Sequence, residues 1–307
     1  MRILLFLTVL FTSVSSQNYH NVGRKIEEPS VLPPSHISAL GNMMIAANWT
    51  NLVVGGNPAE AGAFPMHVFI SFRNKKTGGS SICGGTLIST THVLTAAHCT
   101  VNMVSPTRIL AGSVSNDGQS ANAQWRNAHT IFTHPSYDDK DEEHVPNDIG
   151  IIEFNPPIIL NRDIQLTKIV SEDSKLVNLT SAIVTGFGVY KFEDEKPVAS
   201  DKLLFSEVKL YPTRNCNQIW GPQMMNDNKI CAGGKGKGNA AGDSGGPILV
   251  SYNKQLFQVG LLSVGIDSLD TRGIYEEDRM ALYTRISKFC DFISKTTKGA
   301  ASCANPK

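Results

Sequence analysis

The 307-residue sequence has almost no surplus of charge, because 28 Lys and Arg residues are balanced by 27 Asp and Glu residues. A basic surface that would bind nucleic acid or an anionic membrane is therefore not indicated. Beyond the N-terminus, no stretch is apolar over the ~20 residues that a membrane-spanning helix needs. With 41% hydrophobic and 18% charged residues, the composition is instead typical of a soluble globular protein.

Cysteine is scarce, and no two cysteines have the C-x-x-C spacing that would suggest a zinc site. The six residues are Cys83, Cys99, Cys216, Cys231, Cys290 and Cys303. An even number of cysteines without metal-binding spacing favours disulfides, which persist in oxidising compartments.

The N-terminus predicts the export that such disulfides require. Met1 and Arg2 precede an apolar run over residues 3–11, which is followed by small and polar residues. The run is about half as long as a membrane anchor, and the pattern is typical of a secretory signal peptide over residues 1–16. We therefore expect a secreted, extracellular glycoprotein. Sequons at Asn48 and Asn178 predict N-glycosylation, although sequons this short also arise by chance.

The rest of the chain divides into two parts. Residues 17–52 contain three prolines among scattered polar residues and no lasting strand periodicity, which is typical of a propeptide. From Val53 onward, short β-rich runs separated by turn residues predict an antiparallel all-β domain over residues 53–307. The predicted strands include residues 66–71, 92–97, 108–111, 149–154, 182–185, 203–210, 247–250 and 256–264. A C-terminal α-helix is predicted at residues 286–295, where apolar residues have helical spacing.

Three motifs contain residue types that together perform nucleophilic catalysis. They read TAAHC at residues 95–99, NDIGII at 147–152 and GDSGGP at 242–247. In this order and with these surroundings, His98, Asp148 and Ser244 resemble the trypsin/chymotrypsin family of serine endopeptidases. Subtilisin-type enzymes and α/β-hydrolases place the same three residues in other orders along the chain.

The resemblance covers roughly residues 53–296 and implies two packed six-stranded β-barrels with a catalytic cleft between them. It implies that Ser244 is the nucleophile, that His98 is the general base and that Asp148 orients the imidazole. The backbone N–H groups of Gly242 and Ser244 would form the oxyanion hole. This chemistry needs no cofactor. We expect no required metal, because the acidic run at residues 138–143 is interpreted as a solvated turn.

The segment VVGG at residues 53–56 resembles the mature N-terminus of the family, which implies a zymogen. Cleavage after Leu52 would free the α-amino group of Val53, which would then pair with Asp243 and order the oxyanion hole. The alternative is that this segment is only a strand and a turn.

The resemblance also implies two disulfides, Cys83–Cys99 beside His98 and Cys216–Cys231 near the specificity pocket. Cys290 and Cys303 have no common counterpart in the family, and closure of a short C-terminal loop is the simplest pairing for them.

The specificity pocket departs from the family pattern. The resemblance assigns substrate contacts to Gly238, Asn239, Ser263, Gly265 and Ala281. Gly238 stands where trypsin-like members have an aspartate, so we expect cleavage after apolar P1 residues. Val264 replaces the usual tryptophan and Ala240 replaces a frequent cysteine, so the pocket wall and rim should differ. Two alternatives stay open: the acidic residues 276–278 could supply a carboxylate, and RGIY at 272–275 also matches the segment assigned to Ala281.

We therefore expect a secreted, monomeric serine endopeptidase whose partners are protein or peptide substrates and protein protease inhibitors. The alternative is a non-catalytic secreted binding protein on a protease scaffold, because a fold does not determine function. Such proteins usually lose a member of the triad, and this sequence retains all three.

Overall fold

A computed structural model of the chain describes residues 56–141, 144–194, 196–234, 237–265 and 280–304. The predicted signal peptide and propeptide, Asn48, Val53 and the acidic residues 276–278 lie outside the described residues. The described part consists mostly of β-strands in two closed six-stranded antiparallel barrels, followed by a short C-terminal helix. The fold expected from the sequence is confirmed.

The first barrel uses strands from the N-terminal half of the described chain. A two-residue strand, β1 (Asn57–Pro58), precedes it and pairs with the second barrel. The barrel strands are β2 (His67–Asn74), β3 (Ser80–Ser89), β4 (His92–Thr95), β5 (Met103–Ala111), β6 (Gln124–Thr133) and β7 (Gly150–Phe154). They close in the order β2-β3-β4-β7-β6-β5, so β4 and β7 are neighbours although 54 residues lie between them.

The second barrel repeats this architecture. Its strands are β8 (Ser181–Gly186), β11 (Leu204–Tyr211), β12 (Lys229–Gly233), β13 (Pro247–Tyr252), β14 (Gln255–Val264) and β15 (Met280–Arg285), and a hairpin of β9 (Val189–Glu193) and β10 (Lys196–Ala199) lies between β8 and β11 along the chain. The barrel closes because β8 pairs with both β11 and β13.

The helices are short, and the sequence predicted only the C-terminal one, at residues 286–295, where the structure has a 3₁₀ helix followed by an α-helix. They are α1 (Ala97–Thr100), α2 (Ser174–Val177), α3 (Thr213–Met224), a 3₁₀ helix (Ile286–Phe289) and α4 (Cys290–Thr296). Helix α3 was not expected from apolar spacing. It is interrupted at Gly221, which has a φ of 78°, and Pro222 follows, so no continuous helical pattern marks the segment.

The strands that the sequence revealed least clearly are those without a simple alternation of polar and apolar residues. By contrast, β11 was predicted, and its buried and exposed residues alternate from Ser206 to Leu210, as in a strand with one solvated face. In β6, most side chains are partly exposed and the sequence QWRNAHTIFT mixes polar and apolar types. Pairing with β5 and β7, rather than a local pattern, makes β6 a strand.

Three disulfides join the pairs expected from the sequence, Cys83–Cys99, Cys216–Cys231 and Cys290–Cys303. The last bridge links the first residue of α4 to Cys303 near the end of the described chain. Phe289, Ile293 and Ala301 from this C-terminal segment are buried in the same apolar cluster as the core of the first barrel. The end of the chain therefore helps to hold the two barrels together, since it follows directly from β15 of the second.

This packing predicts that the same Ile→Ala substitution lowers the free energy of unfolding by different amounts at two positions. Ile293 is 0% exposed, whereas Ile219 on α3 is 47% exposed. Ile293→Ala should lower the free energy of unfolding by about 2–5 kcal/mol because it removes buried methyl groups and leaves a cavity. Ile219→Ala should change it by less than about 0.5 kcal/mol. Urea denaturation of both variants is the measurement, and equal losses would contradict the docking of the C-terminal segment.

Candidate active site

His98 and Asp148 are brought together by the pairing of β4 with β7. Thr95, the last residue of β4, is paired with Gly150, the first residue of β7. Helix α1 begins two residues after β4 and carries His98, while Asp148 lies just before β7. Partners that are 50 residues apart in the sequence therefore meet at one end of two adjacent strands.

The contact between them is bidentate. Nδ1 of His98 lies 2.8 Å from Oδ2 of Asp148, and the backbone N–H of His98 donates to Oδ1 at 2.9 Å. An ionised carboxylate only accepts hydrogen bonds, so Nδ1 carries the hydrogen in the neutral imidazole. Nε2 is then left unprotonated, which is the state in which it can accept a proton.

The second barrel completes the surroundings of Asp148, which is 0% exposed. Ser263 of β14 donates its hydroxyl hydrogen to Oδ2 of Asp148 at 2.7 Å. Thr284 of β15 donates to the backbone carbonyl of Asp148 at 2.8 Å. The aspartate of the first barrel is thus held by strands of both barrels.

The pKa values of the pair shift in opposite directions. Burial lowers the pKa of His98, but the attraction of the Asp148 carboxylate and the hydrogen bond to it outweigh burial and raise the pKa above 6.5. Burial raises the pKa of Asp148, but the attraction of His98, its hydrogen bond, the nearby ammonium of Lys229 and the hydroxyl of Ser263 together lower it below 3.8. The structure therefore favours an ionised Asp148 beside a basic His98.

Ser244 lies in a turn that packs against the first barrel. Its carbonyl oxygen accepts a hydrogen bond from the N–H of Gly84 on β3 at 2.8 Å. The next residue, Gly245, has a φ of 77°, and a Cβ there would lie 2.1 Å from Oγ1 of Thr95. Only glycine allows this approach. The nucleophile candidate is therefore seated against the end of β4, beside the helix that carries His98.

Gly242 occupies a second left-handed position in the same turn, with a φ of 96°. A Cβ there would lie 3.0 Å from Cδ1 of Ile82 and 3.1 Å from Cα of Gly188. The turn is thus compressed between the two barrels without side chains at Gly242 or Gly245. Its shape is compatible with the oxyanion hole expected at the backbone of Gly242 and Ser244, which stays a prediction.

Asp243 points into the interior and is 1% exposed. It accepts hydrogen bonds from the backbone N–H groups of Gly188 at 2.7 Å and Ala240 at 2.9 Å. Burial nevertheless raises its pKa to about 6, against the effect of these donors. Within the described ranges, no ion pair includes Asp243.

The residues assigned to the specificity pocket fall into two groups. At Gly238 and Gly265, a Cβ would meet no atom within 4 Å, so both backbones border open space. Asn239 and Ala281 are buried in the fold: Oδ1 of Asn239 accepts from the hydroxyl of Tyr283 at 2.9 Å, and Ala281 belongs to the core of the second barrel. Contact of these residues with substrate stays a prediction, and residues 266–279 at the rim lie outside the described part.

The sequence did not single out Thr284 or Lys229. Thr284 sits in an ordinary-looking strand, and only the fold brings it to Asp148. Lys229 begins β12 and is 4% exposed, although a lysine in a sequence is normally read as a surface residue. No local signal marks either residue, because both act on a partner from the other barrel.

Neither a metal site nor a membrane span is found where the structure is described. No group of three or more His, Cys, Asp and Glu side chains there could hold a metal ion. None of the described helices is both long and apolar enough to cross a bilayer.

Comparison with known proteins agrees with the fold. A sequence profile of the family described as Trypsin matches residues 53–293. Chymotrypsin-C of Mus musculus is 31% identical over 268 residues, which are 84% of this chain and 93% of the relative. Phenoloxidase-activating factor 3 of Holotrichia diomphalia is 31% identical over 80% of this chain and 72% of its own length. Chymotrypsin-like elastase family member 1 of Homo sapiens is 28% identical over 79% and 91%. The chain belongs to the trypsin/chymotrypsin family of serine proteases.

The contact between His98 and Asp148 predicts a specific change in titration. Asp148→Asn should lower the pKa of His98, because the neutral amide no longer stabilises the imidazolium while burial still opposes it. Protonation of the imidazole would then require a lower pH than in the unchanged protein. The titration can be followed by NMR of the His98 ring in a Ser244→Ala background, with the exposed Asp291→Asn as the control. An unchanged His98 pKa in Asp148→Asn would contradict the arrangement.

Proposed function

We propose that the chain is a secreted serine endopeptidase that is made as a zymogen and cleaves peptide bonds through an acyl-enzyme. The observation that carries this proposal is the bidentate contact of His98 with a fully buried Asp148, next to the turn that holds Ser244. A binding protein without activity would not need a buried carboxylate aimed at an imidazole.

The proposed reaction proceeds in two halves. Nε2 of His98 removes the proton from Oγ of Ser244 while the oxygen attacks the substrate carbonyl. Asp148 stabilises the resulting imidazolium, which then donates the proton to the leaving amine. Water, deprotonated by the same imidazole, hydrolyses the acyl-enzyme. The N–H groups of Gly242 and Ser244 would stabilise each oxyanion, at roughly 3–4 kcal/mol per donor.

The triad assignment predicts a large loss of peptidase activity when the hydroxyl oxygen of Ser244 is removed. Ser244→Ala should reduce turnover of peptides by several orders of magnitude and abolish labelling by a fluorophosphonate, because both need the activated hydroxyl. Ser251→Ala is the matched control, since Ser251 is exposed on β13, far along the strand from the turn. Wild-type protein that has been cleaved after Leu52 and still neither cleaves peptides nor reacts with the probe would support the non-catalytic alternative.

The zymogen proposal is supported by the state of Asp243. Its carboxylate is buried, accepts two backbone hydrogen bonds and still has a raised pKa, so an additional cation would stabilise its charged form. The α-amino group of Val53, released by cleavage after Leu52, is the cation that we propose. Insertion of that group would hold the turn from Asp243 to Gly245 in its active shape.

This mechanism predicts that Asp243→Asn is secreted but has low activity after cleavage at Leu52, because the amide cannot form the ion pair with Val53. The measurement is peptide hydrolysis by protein whose N-terminus has been confirmed by sequencing. Uncleaved protein that retains residues 17–52 provides the inactive reference. Full activity of either protein would contradict the insertion mechanism.

An apolar P1 preference is the second specific proposal. Gly238 borders open space and supplies no carboxylate, so a substrate Lys or Arg would be buried there without a partner. The bond proposed for activation also has an apolar residue, Leu52, before the cleavage point. We therefore propose activation by the enzyme itself or by one of similar specificity.

A mixed peptide library tests this preference. Cleavage should occur mainly after Leu, Met or aromatic residues, because these fill an uncharged pocket. Gly238→Asp should shift cleavage toward Lys and Arg by supplying the missing carboxylate, and Gly238→Ala is the control for the strain of a side chain at its φ of 148°. Dominant cleavage after Lys or Arg by the wild-type protein would contradict the uncharged pocket and would instead favour the acidic residues 276–278 as part of it.

Extracellular action agrees with the three disulfides, which persist in oxidising compartments. The sequon residue Asn178 is exposed at the end of α2, where a glycan could be attached. We propose protein substrates and protein protease inhibitors as partners of a monomeric enzyme.

A further inference from the structure

Lys229 is a buried cation next to the active site. It is 4% exposed and lies at the start of β12. Its ammonium group donates to the carbonyl of Val145 at 2.8 Å and to Oγ of Ser263 at 3.2 Å. Val145 and Val264 nearby pack into an apolar cluster. Because burial of an ammonium is costly, these two hydrogen bonds need to be well formed for the arrangement to persist.

The bond to Ser263 determines how that hydroxyl is used. A hydroxyl donates one hydrogen bond, and an ammonium can only donate. Oγ of Ser263 therefore accepts from Lys229, and its single hydrogen is directed to Oδ2 of Asp148 at 2.7 Å. Lys229 thus orders a chain of donors that ends on the carboxylate facing His98.

The bond to Val145 acts on the backbone that leads to Asp148. Val145 has a φ of 43° and Asn147 a φ of 52°, although neither is glycine. A β-branched residue in the left-handed region is strained and persists only when its surroundings hold it. The ammonium of Lys229 binds the carbonyl of this strained residue, three positions before Asp148.

The charge of Lys229 acts on both members of the pair. Attraction to the ammonium contributes to the low pKa of Asp148, and repulsion from it opposes the effect of Asp148 on His98. Burial lowers the pKa of Lys229 itself, and Asp148 opposes this change. Among the described residues, Tyr137 also interacts with Asp148, and its pKa is raised by burial and by the carboxylates of Asp148, Asp139 and Asp138.

We propose that Lys229 is a positioning residue of the catalytic site, which fixes the carboxylate of Asp148 through Ser263 and holds the strained turn at Val145. It touches neither substrate nor the reacting atoms. The consequence for catalysis rests on the proposed protease function, whereas its effect on His98 does not.

The first experiment needs no catalytic activity. The His98 ring is titrated by NMR in the Ser244→Ala protein, with and without Lys229→Met. Loss of the ammonium should raise the pKa of His98, because the repulsion is removed while Asp148 still attracts the imidazolium. Lys229→Arg, which keeps the charge, should restore the titration toward that of the parent. The control is Lys209→Met, which removes an exposed lysine from the neighbouring strand β11.

The second experiment measures the kinetic effect on an otherwise unchanged, processed enzyme. Lys229→Met should lower kcat by up to about 100-fold, with KM for a small peptide nearly unchanged, because a carboxylate that stays beside His98 but is held less firmly slows the reaction rather than the binding. The acid limb of the pH profile should move to higher pH, in step with the His98 titration. A lysine with only a structural role would not move that limb.

The outcomes separate the two proposals. An active wild-type enzyme in which Lys229→Met changes neither the His98 titration nor kcat would overturn the role of Lys229 and leave the protease function intact. If the processed wild-type protein is inactive but Lys229→Met raises the pKa of His98, the protease function is overturned and the role of Lys229 stands. If the variant does not fold, reductive methylation of the wild-type protein decides: Lys229 should resist modification until denaturation, and ready modification in the folded protein would overturn the proposal.

Discussion

The structure depends on how one buried carboxylate is kept charged. Asp148 comes from the first barrel, but two of its hydrogen-bond donors, Ser263 and Thr284, come from the second. The position of Asp148 relative to His98 therefore depends on how the two barrels pack against each other. Because an ionised carboxylate cannot be buried without several donors, the same contacts that stabilise the charge also align the barrels and orient the imidazole. Packing and chemistry share a single set of hydrogen bonds.

The turn that carries Ser244 also lies at the interface between the two barrels. Gly84 and Thr95 of the first barrel contact the backbone of a turn that belongs to the second barrel. The glycines of the GDSGGP motif are needed because strands lie too close for side chains, as the 2.1 Å approach at Gly245 shows. Asp243 in the same turn is a second buried carboxylate, but it lacks a described cation and its pKa is raised, whereas that of Asp148 is lowered. The difference lies in their partners, since both are buried.

The motifs allowed the sequence to predict the family and the triad candidates, because each motif is a local string with fixed neighbours. The two barrels and two of the disulfides followed from the family resemblance, and Cys290–Cys303 was the simplest pairing of the remaining cysteines. Many of the strands were also found, since short runs of β-favouring residues between turn residues leave a local pattern. The helix α3 was missed because Gly221 and Pro222 interrupt it, and β6 was missed because its pairing is not visible in its own residues. Lys229 could not be predicted as part of the site, because its importance arises from contacts with Val145 and Ser263, 84 and 34 residues away.

The central claim is that Asp148 stays ionised in the folded protein because donors from both barrels surround it. The most direct measurement is the carboxyl ¹³C shift of Asp148, followed through a pH titration and assigned by its loss in Asp148→Asn. We expect no protonation of this carboxyl in the folded protein at any pH above its ordinary value of 3.8. Uptake of a proton above that pH, while the protein remains folded, would contradict the account.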